Sequence, residues 1–252
     1  MLEIIKHDQI HELRLQRPPV NALNPELIRA LRIGVEQAPQ NGARGIVISG
    51  NPGMFSAGLD VPALLALDRA QLTTTWQDFF GLTAALACSP IPSVAAITGH
   101  SPAGGAVISI FCDYRIMAKG AFKIGLNEVQ VGLFVPENIQ LALRRLVGAY
   151  RAERLLVAGA MIDAAEALRI GMVDELIDID TVVPHALSWL RELLKLPPKA
   201  QAATRKIARA DLIAAFSDPD KLPLGDFVDG WFAEESQTVL KNLVARLKAP
   251  KS

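Results

Sequence analysis

The pattern of apolar and polar residues changes period several times along this chain. Residues 2–5 and 11–15 read as two short strands, with Asp8-Gln9 between them as a hairpin turn. Pro18-Pro19 end the second strand, and Asn24 is suited to cap a helix with Pro25 at its first position. Leu27, Leu31 and Val35 then recur at helical spacing. Residues 45–49, GIVIS, are a short β-branched run of the kind found in buried parallel strands. A Pro/Gly loop over 51–60 leads to a helix predicted near 62–67, and residues 71–87 carry Trp76, Phe79, Phe80 and Leu86 on one side of a long helix, where they read as core. Residues 93–97 supply another strand. The turn Pro102-Ala103-Gly104-Gly105, with Pro102 read as a first-turn residue, opens an apolar helix through 112, and 114–117 form the next strand. Strand and helix alternate, which argues for α/β layering.

Further on, residues 139–157 form one amphipathic helical region with Arg144, Arg145, Arg151 and Arg154 on its polar side. Four arginines can meet phosphate, but a solvated helix face is the default reading. Residues 164–168, Gly171 and 174–176 read as helix, stop and short strand. Past Leu196-Pro197-Pro198 only helices are predicted: one over 199–216, a loop over 217–225, and a last one over 227–247. The apolar positions of the last, Trp231, Val239, Leu243 and Leu247, need a partner surface on the same core or on another subunit. The expected division is an α/β core over 1–195 and a helical region over 196–252.

Composition narrows the function. With 26 basic against 26 acidic residues among 252, there is no electrostatic reason to expect nucleic acid or a membrane surface as partner. Cys88 and Cys112, both in apolar runs, do not make a disulfide framework and fit a reducing compartment. The start, MLEIIKHDQI, has no signal or transit pattern, and no apolar run reaches spanning length, so a soluble cytoplasmic protein is expected. His7 and His11 lack the neighbours of a metal site and read as structural; no metal or redox cofactor is expected.

Three loops carry candidate chemistry. Ser56, Ala57 and Gly58 allow close approach to the backbone, so that the following amides can point at a ligand. Asp60 behind them could act as acid or base, but reads first as a helix cap. The glycines at 104 and 105 open a helix whose free N–H groups suit an anion or a developing oxyanion. Glu128 precedes an almost wholly apolar stretch, 129–136, and a carboxylate so placed is desolvated and brought toward neutral pH. Glu137, directly after Pro136, reads as a helix start.

Taken together and in order, Phe55-Ser56-Ala57-Gly58-Leu59-Asp60, Ser101-Pro102-Ala103-Gly104-Gly105 with Cys112-Asp113-Tyr114-Arg115-Ile116, and Gly125-Leu126-Asn127-Glu128 resemble the enoyl-CoA hydratase/isomerase (crotonase) superfamily. In detail they are most similar to its mitochondrial-type 3,2-trans-enoyl-CoA isomerases. Pro19-Val20-Asn21-Ala22-Leu23, and the segment from Ala165-Glu166-Ala167-Leu168 to Gly171-Met172-Val173-Asp174, agree with the superfamily too. The resemblance implies a spiral of β-β-α units, with the helical tail as a trimerisation region, in homotrimers or dimers of trimers. It implies an acyl-CoA thioester as substrate, with coenzyme A part of that substrate and no separate cofactor. By the same resemblance Glu128 is catalytic, the Leu59 and Gly104 amides form an oxyanion hole, and Ala57, Gly58, Asp60, Val61 and Asn127 bind substrate. The implied reaction moves the double bond of a 3-enoyl-CoA to the 2-trans position, a step of fatty-acid β-oxidation. The alternatives are hydration, dienoyl-CoA isomerisation, and acyl-CoA binding without catalysis. The family's hydratases carry a second glutamate where this chain has Val107, and its dienoyl isomerases a carboxylate where it has Pro136, with Glu137 adjacent.

Overall fold

The computed structural model describes residues 1–218 and 222–248; the centre of the predicted 217–225 loop and residues 249–252 of the expected helical region lie outside the described residues. Strands β1 (Leu2–His7) and β2 (Ile10–Leu15) pair antiparallel around a turn where Asp8 adopts a φ of 56°. Helix α1 (Pro25–Gln37) begins where the Asn24 side chain accepts the Leu27 amide at 3.0 Å. It leads to β3 (Gly45–Ser49), buried at all five positions and parallel to β2.

The next turns of the chain repeat a theme. After β3 come the two-residue β4 (Gly53–Met54), then α2 (Val61–Leu65) and α3 (Arg69–Cys88). After β5 (Ser93–Ile97) come β6 (Gly99–Pro102) and α4 (Gly104–Phe111). After β7 (Tyr114–Ala118) come β8 (Lys123–Gly125), a single 3-10 turn (Glu128–Val131) and α5 (Glu137–Val147) with α6 (Ala149–Ala158). Then β9 (Ile162–Asp163), α7 (Ala164–Arg169), β10 (Glu175–Ile177) and α8 (Val182–Leu193) close the α/β part. The units that open on β3, β5 and β7 each send their first strand to a six-stranded sheet ordered β1-β2-β3-β5-β7-β10 and their second to a smaller sheet ordered β4-β6-β8-β9, with β10 and β9 completing the two sheets. The expected spiral of β-β-α units is therefore the architecture.

Several elements depart from the pattern-based reading. Pro102 ends β6 rather than starting a helix, and β6 itself has a poor strand composition. It exists because β4 and β8 pair with its two ends. The region 139–157 is two helices broken at Gly148, which has a φ of 81°. Arg145 on it is not merely solvated but pairs with Asp211 and donates to the Ala208 carbonyl. The predicted 199–216 helix is α9 (Pro198–Ala208) and α10 (Ala210–Ala214), parted at Arg209. The predicted 227–247 helix is α11 (Leu224–Phe232) and α12 (Glu234–Lys248), parted at the extended Ala233. The long helix α3 starts two residues before the predicted 71, because Asp68 and Gln71 form a reciprocal capping box. Cys88 is exposed and Cys112 is buried.

The partner surface that Trp231 needs is on the same chain. Its ring lies 5.9 Å from that of Trp76 in α3, and Phe227 lies 4.5 Å from the same ring, both edge-on. Farther along, α12 buries Ser236 and Leu240, whereas Leu247 is exposed. Among the described residues no helix is long and apolar enough to cross a membrane.

Candidate active site

Three parallel strands of the small sheet, β4, β6 and β8, deliver the three candidate loops from adjacent carboxyl ends. Gly53 and Met54 pair with Gly99 and His100, and Ser101 and Pro102 pair with Ile124 and Gly125. The Phe55 amide donates to the His100 carbonyl at 3.0 Å and the Ala103 amide to the Gly125 carbonyl at 2.8 Å. The loops are thus stitched to each other just before they turn into helices or, after β8, into the 3-10 turn. Carboxyl ends of parallel strands are where open α/β sheets gather their sites.

The first loop is fixed from behind. Ser56, fully buried, donates to the Asn21 carbonyl at 2.8 Å and accepts from the Gly58 amide at 3.2 Å. Ala57 donates to the Val20 carbonyl, and Leu59 forms a parallel bridge with Leu23. In that bridge the bonded groups are the Gly58 carbonyl and the Asp60 amide. The Leu59 amide therefore points away from Leu23 and toward the second loop. Asn21 and Arg17 are the parts not singled out from sequence as site residues. Asn21, at a φ of 50°, donates to the Phe55 carbonyl, and Arg17 reaches Asp60 at 2.5 Å. Proline-rich Pro18-Pro19-Val20-Asn21 is the signal that marks this support.

Asp60 takes the capping role: its carboxylate accepts the Ala63 amide at 3.0 Å while Val61, buried, opens α2. Asp60→Ala should lower stability by about 1–2 kcal/mol in urea unfolding, through loss of the cap and the Arg17 contact.

The second loop lies against the first in van der Waals contact. A Cβ on Gly104 would lie 3.6 Å from the Gly58 Cα and 3.8 Å from the Leu59 nitrogen; one on Gly58 would lie 3.3 Å from the Gly104 nitrogen. Side chains here would fill the space between the two amides. Ala103, just before, holds a φ of 45°, a conformation L residues avoid. Its amide on Gly125 and its carbonyl on Val107 hold it there. Among the described residues neither the Leu59 nor the Gly104 amide donates to a protein acceptor. Two neighbouring free donors, one at the start of α4, suit a developing negative charge.

Glu128 begins the 3-10 turn that follows β8. It is 8% exposed, and its Oε2 is buried with no hydrogen-bond partner among the described residues. Burial pushes its carboxyl up to about 7, and only a bond from its own backbone amide acts the other way. Asn127 beside it is half-buried, with its side-chain oxygen likewise unpartnered. Val107 is buried in the core. Glu137 opens α5, is exposed and pairs with Arg144, so it is drawn outward. His7 is paired with Glu12 at 2.9 Å, and no group of three His, Cys, Asp or Glu that could hold a metal gathers among the described residues.

The family model described as enoyl-CoA hydratase/isomerase matches residues 6–218. The chain belongs to the enoyl-CoA hydratase/isomerase family. Human mitochondrial enoyl-CoA delta isomerase 1 is 32% identical to it over 242 residues, covering 95% of this chain and 80% of the human protein. A probable enoyl-CoA hydratase of Mycobacterium avium, echA17, is 34% identical over 209 residues, covering 82% of this chain and 79% of that one. The crystal structure of human mitochondrial delta3-delta2-enoyl-CoA isomerase superposes with a TM-score of 0.93 at 30% identity, covering 100% of this chain and 99% of the other. Both isomerase and hydratase names thus occur among the similar family members, and an enzyme of acyl-CoA metabolism is the family-level reading.

Proposed function

We propose that the protein is an enoyl-CoA isomerase that converts a 3-enoyl-CoA to the 2-trans-enoyl-CoA. The observation that carries this reading is Glu128: a buried carboxyl with its Oε2 unpartnered among the described residues and its pKa raised by burial to about 7. The thioester oxygen lies between the Leu59 and Gly104 amides. Glu128 takes a proton from C2, and the electron pair moves into the thioester to give an enolate held by the two donors, each worth on the order of 3 kcal/mol. The same carboxyl, now protonated, gives the proton back at C4, and the double bond ends between C2 and C3. One carboxylate acts first as base and then as acid, so no second one is needed. Ala57, Gly58, Val61 and Asn127 line the thioester end, while Asp60 holds its loop. No cofactor beyond the substrate's own coenzyme A takes part.

Hydration is the second reading, favoured by the Mycobacterium avium relative's name. It requires a group to orient the water, and Val107 offers none. Turnover of a 3-enoyl-CoA and of a 2-enoyl-CoA by the purified protein separates the two. Fast isomerisation with negligible hydration is the expected result; brisk hydration of the 2-enoyl-CoA would replace this reading with the hydratase one.

We further propose a homotrimer or dimer of trimers in the cytoplasm, with the helical region from residue 196 onward as a unit of assembly. Large apolar side chains left exposed, Phe134, Tyr150, Val157 and Leu247, support association.

A further inference from the structure

Among the described residues no other side chain aims Glu128; its carboxyl takes a bond only from its own backbone amide. Its Oε2 is unpartnered among the described residues, so the direction of the carboxyl is set by the backbone that carries it. That backbone is a 3-10 turn of four residues, closed by the Leu133 amide on the Glu128 carbonyl at 3.1 Å. A turn this short has little stiffness of its own. Two remote contacts grip it. Gln130 Nε2 donates to the Gly159 carbonyl at the end of α6, at 2.8 Å. From the other side, Ser236 Oγ of α12 donates to the Gly132 carbonyl at 2.6 Å.

The Ser236 contact is built, not incidental. Ser236 is buried, and Gly132 sits at a φ of 76° with so little room that a Cβ there would lie 2.9 Å from the Ser236 Cα. Helix α12 also packs on α2, the helix that follows the Leu59 loop. It therefore touches both halves of the site and lies 104 residues away in sequence from the carbonyl it holds.

Resting on the isomerase reading, we propose that Ser236 is a positioning residue: through the Gly132 carbonyl it fixes the turn that aims Glu128, with Gln130 as the opposing grip. The described charged side chains on the two helices packed around the turn, Glu234, Glu235, Lys241 and Arg246 of α12 and Arg151, Glu153 and Arg154 of α6, are exposed. No charged side chain of these two helices is thus buried against Glu128, whose own burial raises its carboxyl.

The test is Ser236→Ala and, as an independent release of the same turn, Gln130→Ala, beside Glu128→Gln in the full chain. In both released variants kcat for a 3-enoyl-CoA should fall about tenfold or more, with KM changed less than about twofold. The acidic limb of kcat/KM should move down from about 7 toward the ordinary carboxylate range as water reaches the carboxyl. Ser236→Cys, of similar volume but a weaker donor, should fall between Ser and Ala. Wild-type kcat and an unmoved acidic limb in both variants would overturn the inference while an inactive Glu128→Gln kept the isomerase reading. A drop in kcat without movement of the limb would also overturn it, as a general loosening. An active Glu128→Gln would remove the isomerase reading itself.

Discussion

Glu128→Gln should lose about a thousandfold or more in kcat/KM for a 3-enoyl-CoA, since the amide can neither take the C2 proton nor return one at C4. In the wild type, kcat/KM should fall as pH drops through about 7, because the base must be ionised when substrate arrives. The same substitution should stabilise the fold, with a definite pH dependence. Folding raises this carboxyl from 4.5 to about 7, so its burial is harmless while it is protonated. The favourable contribution is complete below the unfolded value and is lost as pH rises through the folded one, to a ceiling of about 3 kcal/mol. Urea unfolding at pH 8 should therefore give a higher midpoint for the Gln variant than for wild type, and the gap should close toward pH 5. A variant that is inactive yet no more stable at pH 8 would mean that the buried carboxylate is not strained.

Asp113→Ala should be the most damaging substitution to stability away from the site, at about 3–5 kcal/mol in urea unfolding. The carboxylate accepts from Arg205 at 2.7 and 2.8 Å, from Arg209 at 3.0 Å and from the Ser93 amide at 2.8 Å. Arg205 and Arg209 are mostly shielded from solvent, and Arg209 also donates to the Phe111 carbonyl. Removing the carboxylate leaves two guanidiniums without their counter-charge at the junction of β5, α4 and the tail. Burial alone would raise the Asp113 carboxyl, but hydrogen bonds from Arg205 and the charges of both arginines outweigh it and hold it below its ordinary range. Its contribution is present above the unfolded pKa and is lost as pH falls through the folded one, so the wild type should lose stability in strong acid and the Ala variant should show a flatter acid limb. An Asp113→Ala midpoint equal to wild type at neutral pH would show that water, not Asp113, compensates the arginines.

Much of this molecule was legible along the chain because its signals are local. The β-branched run of β3 is buried on both faces, Asn24 and Asp60 cap the helices they precede, and Glu128 stands out as a carboxylate against apolar neighbours. Short-range sterics, capping and desolvation act within a few residues, and the order of residues is enough to state them. The loop order was legible for the same reason.

What only the tertiary structure decided depends on partners far away in sequence. Strand β6 forms from Gly, His, Ser and Pro because β4 and β8 offer their edges. The predicted last helix breaks at Ala233, a residue that favours helix, because two surfaces pull on either side of it. Trp231 and Phe227 dock on Trp76 of α3, while Ser236 and Leu240 turn inward on α12, where Ser236 grips Gly132. Likewise α9 and α10 part at Arg209, whose side chain is drawn inward to Asp113. Packing energy at such contacts exceeds the few tenths of a kcal/mol by which most residues differ in local propensity, and so it overrides them. The order of residues determined which loops carry the candidate groups; tertiary packing determined how firmly Glu128 is held and how far burial raises its carboxyl.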